Sequence, residues 1–334
     1  MLKIKVTYPT DGVEIPPPDI RLQTPNGCCC WGNCEFYINS DIEECDYWVV
    51  LYDLPEKDSV CCPSSNTIFV TGEPVSVKKY DKKFLRQFAT VVTAQEQISH
   101  PHVIQTHQIL PWYVHKTYDE LVTMSPPTKD HLLSIVSSNK RFSKGHEQRY
   151  QFALALKSHF GDGIDLFGRG IRGFEDKWDV LAPYKYSIVI ENSSSPYYVT
   201  EKLTEAFLSY TFPIYYGCTN LEEYYPRGSF ERIDIWDIEG SIDIISKIIE
   251  NPNHYNDHCE DIYFARSCYL QKYQIYPLLT NIVNGVKKSK IDVEFNCANN
   301  TIMCPPKPVP SDIIFKLRCV IGIIKNGLGI NIWS

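Results

Sequence analysis

The stretch from Pro183 to Gly217, PYKYSIVIENSSSPYYVTEKLTEAFLSYTFPIYYG, constrains the fold more than any other part of the chain. Lys185–Glu191 is a short apolar run rich in β-branched residues, which predicts a buried strand. A polar loop, Asn192–Pro196, follows at the carboxyl end of that strand, the end where ligands sit in open α/β sheets. Thr200 is a candidate N-cap for the next helix, and Leu203, Ala206, Phe207 and Tyr210 recur at helical spacing to give it one buried face. Phe212–Tyr216 is a second apolar strand, closed by Gly217. Glu201 and Lys202 fall in the first turn of the helix, beside free backbone N–H groups and the positive end of the helix dipole, a place suited to phosphate. Lys202 opposes that dipole, and an anionic ligand would remove the conflict. A solvated lysine at a helix start is the bland alternative.

The residues ENSSSPYYVTEKLTEAF followed by PIYYG resemble the signature of the α1,3/4-fucosyltransferases, glycosyltransferase family 10. The family pattern is an FEN or YEN triplet, a Y-V/I-T-E-K run, then P-I/V-x-x-G. Here Ile190 stands where an aromatic residue is usual, and the position stays apolar. Upstream, Ser138-Asn139, Arg149 at the start of a predicted helix over Gln148–His159, and IDLFGRG at Ile164–Gly170 are similar to the family's SN, R and VDVFG elements. In the first half, FVTGEP places Glu73 in a Gly-Glu-Pro turn after a predicted strand at Thr67–Thr71, similar to the family's glutamate in GEP or ESP contexts. Taken alone, Glu73 reads as a solvated turn carboxylate and Arg149 as an exposed helix-start arginine.

The resemblance implies an α/β protein of GT-B architecture, with two Rossmann-like domains facing across a cleft and a C-terminal helical extension. On that reading residues 1–126 form the acceptor domain, 127–286 bind the nucleotide sugar, and 287–334 are a linker and amphipathic helix. The implied reaction is inverting transfer of L-fucose from GDP-fucose to a glycan hydroxyl, O3 of GlcNAc in the family. Glu73 would be the catalytic base, while Arg149, Asn192, Tyr198, Glu201 and Lys202 would bind GDP-fucose. A bacterial surface glycan, such as a lactosamine-type lipopolysaccharide chain, is the acceptor expected from resemblance to the bacterial members. The alternatives are transfer from another nucleotide sugar and a non-catalytic glycan-binding protein of the same fold. No D-x-D pair stands at a strand end, so the expectation is that no cofactor or metal is required, a divalent cation being helpful at most.

Composition narrows the partners. A net charge of −7 argues against nucleic-acid binding, which leaves a basic footprint. No run of eighteen apolar residues occurs, and the first residues, MLKIKVTYPTDG, carry no apolar signal region. The expectation is a cytoplasmic protein with an option of peripheral contact at the inner membrane face. Seven of the thirteen Cys lie between Cys28 and Cys62. A zinc site at Cys30, Cys34 and Cys45 is conceivable, but paired C-x-x-C knuckles are missing, so free thiols are expected. The G-x-G-x-x-G at Gly168–Gly173 lacks the acidic partner of a dinucleotide site. His102 and His107 are open to acceptor contact or to a plain surface or loop role.

The remaining elements follow the same rules. Lys3–Tyr8, Asp46–Asp53 and Leu132–Ser137 read as strands, and Phe84–Thr93 and Thr106–Trp112 as further elements of the first domain. Met124–Lys129 is a breaker-rich linker, Ile242–Glu250 a helix, Tyr255–Val286 a long interrupted helical region returning toward the first domain, and Asn296–Pro310 a loose linker. Ile313, Ile314, Leu317, Val320, Ile321 and Ile324 share one helical face, with Lys316, Arg318 and Lys325 outside it. That pattern fits an interfacial helix on an anionic membrane or a helix docked on the protein's own core. If the helix is interfacial, deleting residues 311–334 should abolish sedimentation with anionic liposomes; unchanged sedimentation assigns the apolar face elsewhere.

Overall fold

The computed structural model describes residues 1–9, 18–54, 56–137, 139, 144–288 and 297–305. Ser138 and the amphipathic stretch at 311–334 lie outside them. The first half contains β1 (Leu2–Thr7), β2 (Cys30–Trp31), β3 (Cys34–Ile38), β4 (Tyr47–Leu51), β5 (Asp58–Pro63), β6 (Thr67–Val70), α1 (Lys82–Leu85), β7 (Thr90–Thr93), β8 (Val103–Gln105) and α2 (Tyr118–Thr123). The second half runs through β9 (His131–Val136), α3 (Lys144–Phe160), β10 (Asp165–Phe167), β11 (Tyr184–Ile190), α4 (Glu201–Leu208), β12 (Phe212–Tyr216), β13 (Glu231–Arg232), α5 (Ile238–Glu250), α6 (His254–Asp257), α7 (Cys259–Cys268), α8 (Ile275–Lys288) and β14 (Cys297–Ile302).

Two sheets organise these elements. The first has the order β2-β3-β1-β4-β6-β7-β8, parallel apart from the β2–β3 pair. The second has the order β10-β9-β11-β12-β13 and is wholly parallel. Parallel sheets need both faces covered, so their strands read as continuous apolar runs. Tyr47–Leu51 is such a run, buried at every position. Val49 and Leu51 face one core, while Trp48 and Val50 face another with Phe69, Phe84 and Phe88. In the second sheet Ile188 and Ile214 pack against Phe152 of α3 and Ile245 of α5. Val189 and Tyr215 point to the other side, against Leu203 and Phe207 of α4.

The chain crosses back at its far end. A π-helical turn at Tyr269–Tyr273 interrupts the helical region, and α8 then lays Tyr276, Leu279 and Val283 into the core of the first sheet with Ile4, Val6 and Val49. By chain order α8 belongs with residues 127–286; in space it covers the first sheet, in the returning direction expected of Tyr255–Val286.

Three expectations need correction. Thr106–Trp112 holds no regular element; β8 ends at Gln105 and the chain beyond is an irregular connection. Asn296–Pro310 is not simply a linker, because β14 pairs antiparallel with β5, itself a strand of polar and cysteine residues that the apolar signal misses. Cys30, Cys34 and Cys45 carry no disulfide, in line with the expectation, whereas Cys61 departs from it and is disulfide-bonded.

Tyr276 tests the returning helix. It is fully buried, meets Phe36 edge-on at 5.0 Å between ring centroids, and its hydroxyl donates to the Ile20 carbonyl at 2.9 Å. Tyr276→Ala should lower unfolding stability by about 4 kcal/mol through the cavity it leaves. Tyr276→Phe should cost about 1 kcal/mol for the lost hydrogen bond. Urea unfolding of the two variants measures the difference.

Candidate functional site

The site lies where the carboxyl ends of both sheets meet. In the second sheet β9 comes first in sequence, β10 lies on one side of it, and β11, β12 and β13 follow on the other. The winding therefore reverses between β9 and β11, and ligands of such sheets bind in the crevice outside that point. Asn192 follows β11 directly, and Arg149 comes from α3, which follows β9. Their side chains join across the switch point, with Arg149 Nη1 donating to Asn192 Oδ1 at 2.5 Å. In the first sheet Thr71, Gly72 and Glu73 follow β6.

A cavity of about 650 Å³ opens between these edges. The first half supplies Gly72, Glu73, Tyr113 and His115; the second supplies Phe174, Lys177, Asn192, Tyr198, Thr200, Glu201 and Lys202. Thus Glu73, Asn192, Tyr198, Glu201 and Lys202, picked out from the sequence, all border one space. Arg149 stands one step back from the wall, 6% exposed, and reaches it through Asn192.

Local chemistry holds each wall. The Gln95 side-chain amide donates to the carbonyls of Glu73 at 2.6 Å and Lys78 at 3.0 Å, which pins the turn carrying Glu73. A Cβ on Gly72 would lie 2.8 Å from the Tyr52 ring, so only glycine lets the turn pass. Across the cleft, Thr200 caps α4 by accepting from the Lys202 N–H, as the sequence predicts. Its own N–H and hydroxyl donate to the two oxygens of Glu191, at 2.8 and 2.6 Å. Gly217 completes the arrangement, because a Cβ there would lie 2.4 Å from both Glu191 Cγ and the Tyr215 hydroxyl.

The charges around α4 are dense. Lys202 Nζ lies 3.2 Å from Glu201 Oε1, 3.6 Å from Glu191 Oε2 and 3.0 Å from Thr200 Oγ1. Its conflict with the helix dipole is thus relieved by two carboxylates of the protein, so the sequence argument for an anionic ligand there is weaker than the spacing alone suggests. Burial works to raise the Glu201 pKa, but Lys202 and Lys177 outweigh it and hold the carboxyl at about 2. Glu191 shifts upward because it is buried, with Lys202 pulling the other way. Glu73 is exposed to the open cleft by area, yet the walls crowd its carboxylate and raise its pKa; Lys202 opposes that rise and Glu201 adds to it.

Four participants carry no local sequence signal of their role: Glu191, Lys177, Glu205 and Tyr113. Lys177 Nζ lies 2.6 Å from Glu205 Oε2, and the Tyr113 N–H donates to Glu205 Oε1 at 2.5 Å. Glu191 and Glu205 lie within the signature stretch, which by itself assigned them no role. His107 also departs from expectation. It is buried rather than on the surface, stacked on Tyr273, with Nδ1–H donating to the Gln108 carbonyl and Nε2 accepting from the Tyr225 hydroxyl at 2.9 Å. Burial pushes its pKa down to about 4, so it is a neutral strut between the two halves. His102 is exposed and is not among the residues of the cavity wall.

Residues 126–268 match the model of the glycosyltransferase family 10 (fucosyltransferase) C-terminal region. The chain is 32% identical over 84 residues to the alpha-(1,3)-fucosyltransferase FucT of Helicobacter pylori, covering 25% of this chain and 18% of that protein. It is 24% identical over 123 residues to alpha-(1,3)-fucosyltransferase B of Drosophila melanogaster, covering 35% and 28%. The chain thus aligns with less than a third of the length of these relatives. In fold, the crystal structure of an alpha1,3-fucosyltransferase with GDP-fucose superposes with a TM-score of 0.53 at 18% identity, over 89% of this chain and 93% of the other. A further alpha1,3-fucosyltransferase structure gives 0.52 at 17%, over 87% and 91%. The two-sheet architecture is that of the GT-B fucosyltransferases. Over residues 126–268 the chain is similar to the fucosyltransferase C-terminal region of glycosyltransferase family 10.

Proposed function

We propose that the chain is an inverting fucosyltransferase that moves L-fucose from GDP-fucose to a sugar hydroxyl, O3 of a GlcNAc unit on a glycan. The observation that carries this reading is the shared cavity: a carboxylate from the edge of the first sheet faces a cation-bearing helix start on the second. Its volume lies within the range of roughly 300–1,000 Å³ usual for small-molecule sites. The GDP-fucose named with the superposed structure supports the donor.

On this reading the second sheet grips the donor. Lys202, and Arg149 acting through Asn192, meet the diphosphate, where negative charge grows as the glycosidic bond breaks. Glu201 accepts hydrogen bonds from donor hydroxyls, and Tyr198 lines the nucleotide pocket. Glu73 takes the proton of the acceptor hydroxyl as its oxygen attacks the anomeric carbon from the face opposite the departing diphosphate. Attack from that face inverts the centre. The raised pKa of Glu73 suits the role, because a stronger base draws the proton more readily.

The decisive experiment separates binding from transfer. Glu73→Gln should bind GDP as the unsubstituted chain does but lose roughly two to four orders of magnitude in transfer rate. Full activity in that variant would assign the base elsewhere. Arg149→Ala and Lys202→Met should weaken GDP-fucose binding in calorimetry. Glycan binding with no transfer from any GDP-sugar would instead mark a non-catalytic lectin-like protein.

The pH profile gives an independent check. The base works deprotonated, so kcat/KM should fall as pH drops through the Glu73 pKa, with a limb above the ordinary glutamate value of about 4.3. Lys202 lowers that pKa, so Lys202→Met should move the limb to higher pH. A limb unmoved by Lys202→Met would show that another group titrates.

A further inference from the structure

Lys177 lies between two carboxylates of α4. Its Nζ is 2.6 Å from Glu205 Oε2 and 3.6 Å from Glu201 Oε1. Residues 201 and 205 are one helical turn apart on the same face, so one ammonium can span both. Glu205 is fully buried, and its second oxygen is taken by the Tyr113 N–H. Tyr113 belongs to the connection leading out of the first sheet and lines the same cavity. A continuous set of contacts therefore runs from Tyr113 through Glu205 and Lys177 to Glu201.

Two lysines meet on one oxygen of Glu201. Lys202 reaches Oε1 at 3.2 Å and Lys177 reaches the same Oε1 at 3.6 Å. Two ammonium groups converge on Oε1, which turns that oxygen toward the lysines. We infer that Lys177 is a positioning residue: it holds Glu201 so that Oε2 accepts from the ribose hydroxyls of the bound nucleotide, and it couples that orientation to Tyr113 on the opposite wall. This rests on the reading of the cavity as a nucleotide-sugar site.

A purely structural role makes a different forecast. A buried Glu205 left without its counter-charge would cost stability. If Lys177 did no more than supply that charge, its loss would weaken all nucleotides alike. If it positions Glu201, its loss removes the recognition of ribose hydroxyls in particular, because a carboxylate free to turn no longer presents an acceptor to them.

The experiment compares GDP with 2′,3′-dideoxy-GDP by calorimetry on the full chain, in the unsubstituted protein and in Lys177→Met and Lys177→Arg. The unsubstituted protein should prefer GDP by roughly 10-fold or more, the worth of hydrogen bonds to a charged acceptor. Lys177→Met should reduce that preference to within about threefold of unity, and Lys177→Arg should restore most of it, since a guanidinium can span the same two carboxylates. An undiminished preference in Lys177→Met, even with both affinities lowered, overturns the proposal and leaves Lys177 as a counter-charge. Should Lys177→Met fail to fold, Lys177→Met combined with Glu205→Gln leaves no unpaired buried carboxylate at 205 and carries the same comparison. Failure of the unsubstituted chain to bind GDP at all would overturn the nucleotide reading itself, a separate result.

Discussion

Glu191 is a carboxylate with no exposed side-chain area, set behind the first turn of a helix. Burying such a group is costly unless every oxygen is met. Here Thr200 supplies an N–H and a hydroxyl, and Lys202 supplies the counter-charge at 3.6 Å. That requirement positions much else. It places Thr200 as the cap, turns Lys202 toward the cavity wall and leaves room at position 217 only for glycine. The loop between β11 and α4 is therefore held from inside, and Asn192 and the buried Tyr198 border the cavity beside the switch point of the sheet.

The two halves are joined by more than a linker. α8 completes the core of the first sheet after the chain has built the second, so neither half buries its apolar surface by itself. His107, Tyr225 and Tyr273 form a neutral aromatic contact between the halves, and Tyr113 meets Glu205 through its backbone. Of these, Tyr113 borders the cavity itself. A cleft whose opposing groups are held in register meets the geometric demand of group transfer, which loses rate steeply when reacting groups are misplaced by an ångström.

Charge at the site is balanced rather than merely positive. Glu201 stays ionised because two lysines converge on it, while Glu73, facing the same lysine across the cleft with less help, is shifted the other way. Two carboxylates on one cavity thus have opposite tendencies, set by distance to Lys202 and by crowding.

The sequence by itself determined the strand–loop–helix–strand unit at 183–217, the Thr200 cap, the turn at Glu73 and the returning helical region. Each is written in neighbours a few residues apart, through apolar period, capping chemistry and turn residues. It misread Thr106–Trp112 and Asn296–Pro310, where apolar content without partners suggested an element and polar content concealed a strand. Only the tertiary structure decided the burial of His107, the pairing of β5 with β14, and the grouping of Lys177, Glu205 and Tyr113. Those contacts join residues 28 and 92 positions apart, and no local rule links them. An ion pair across such separations exists only once the helix and both sheet edges have packed, because packing brings the charges together and excludes the water that would otherwise solvate them.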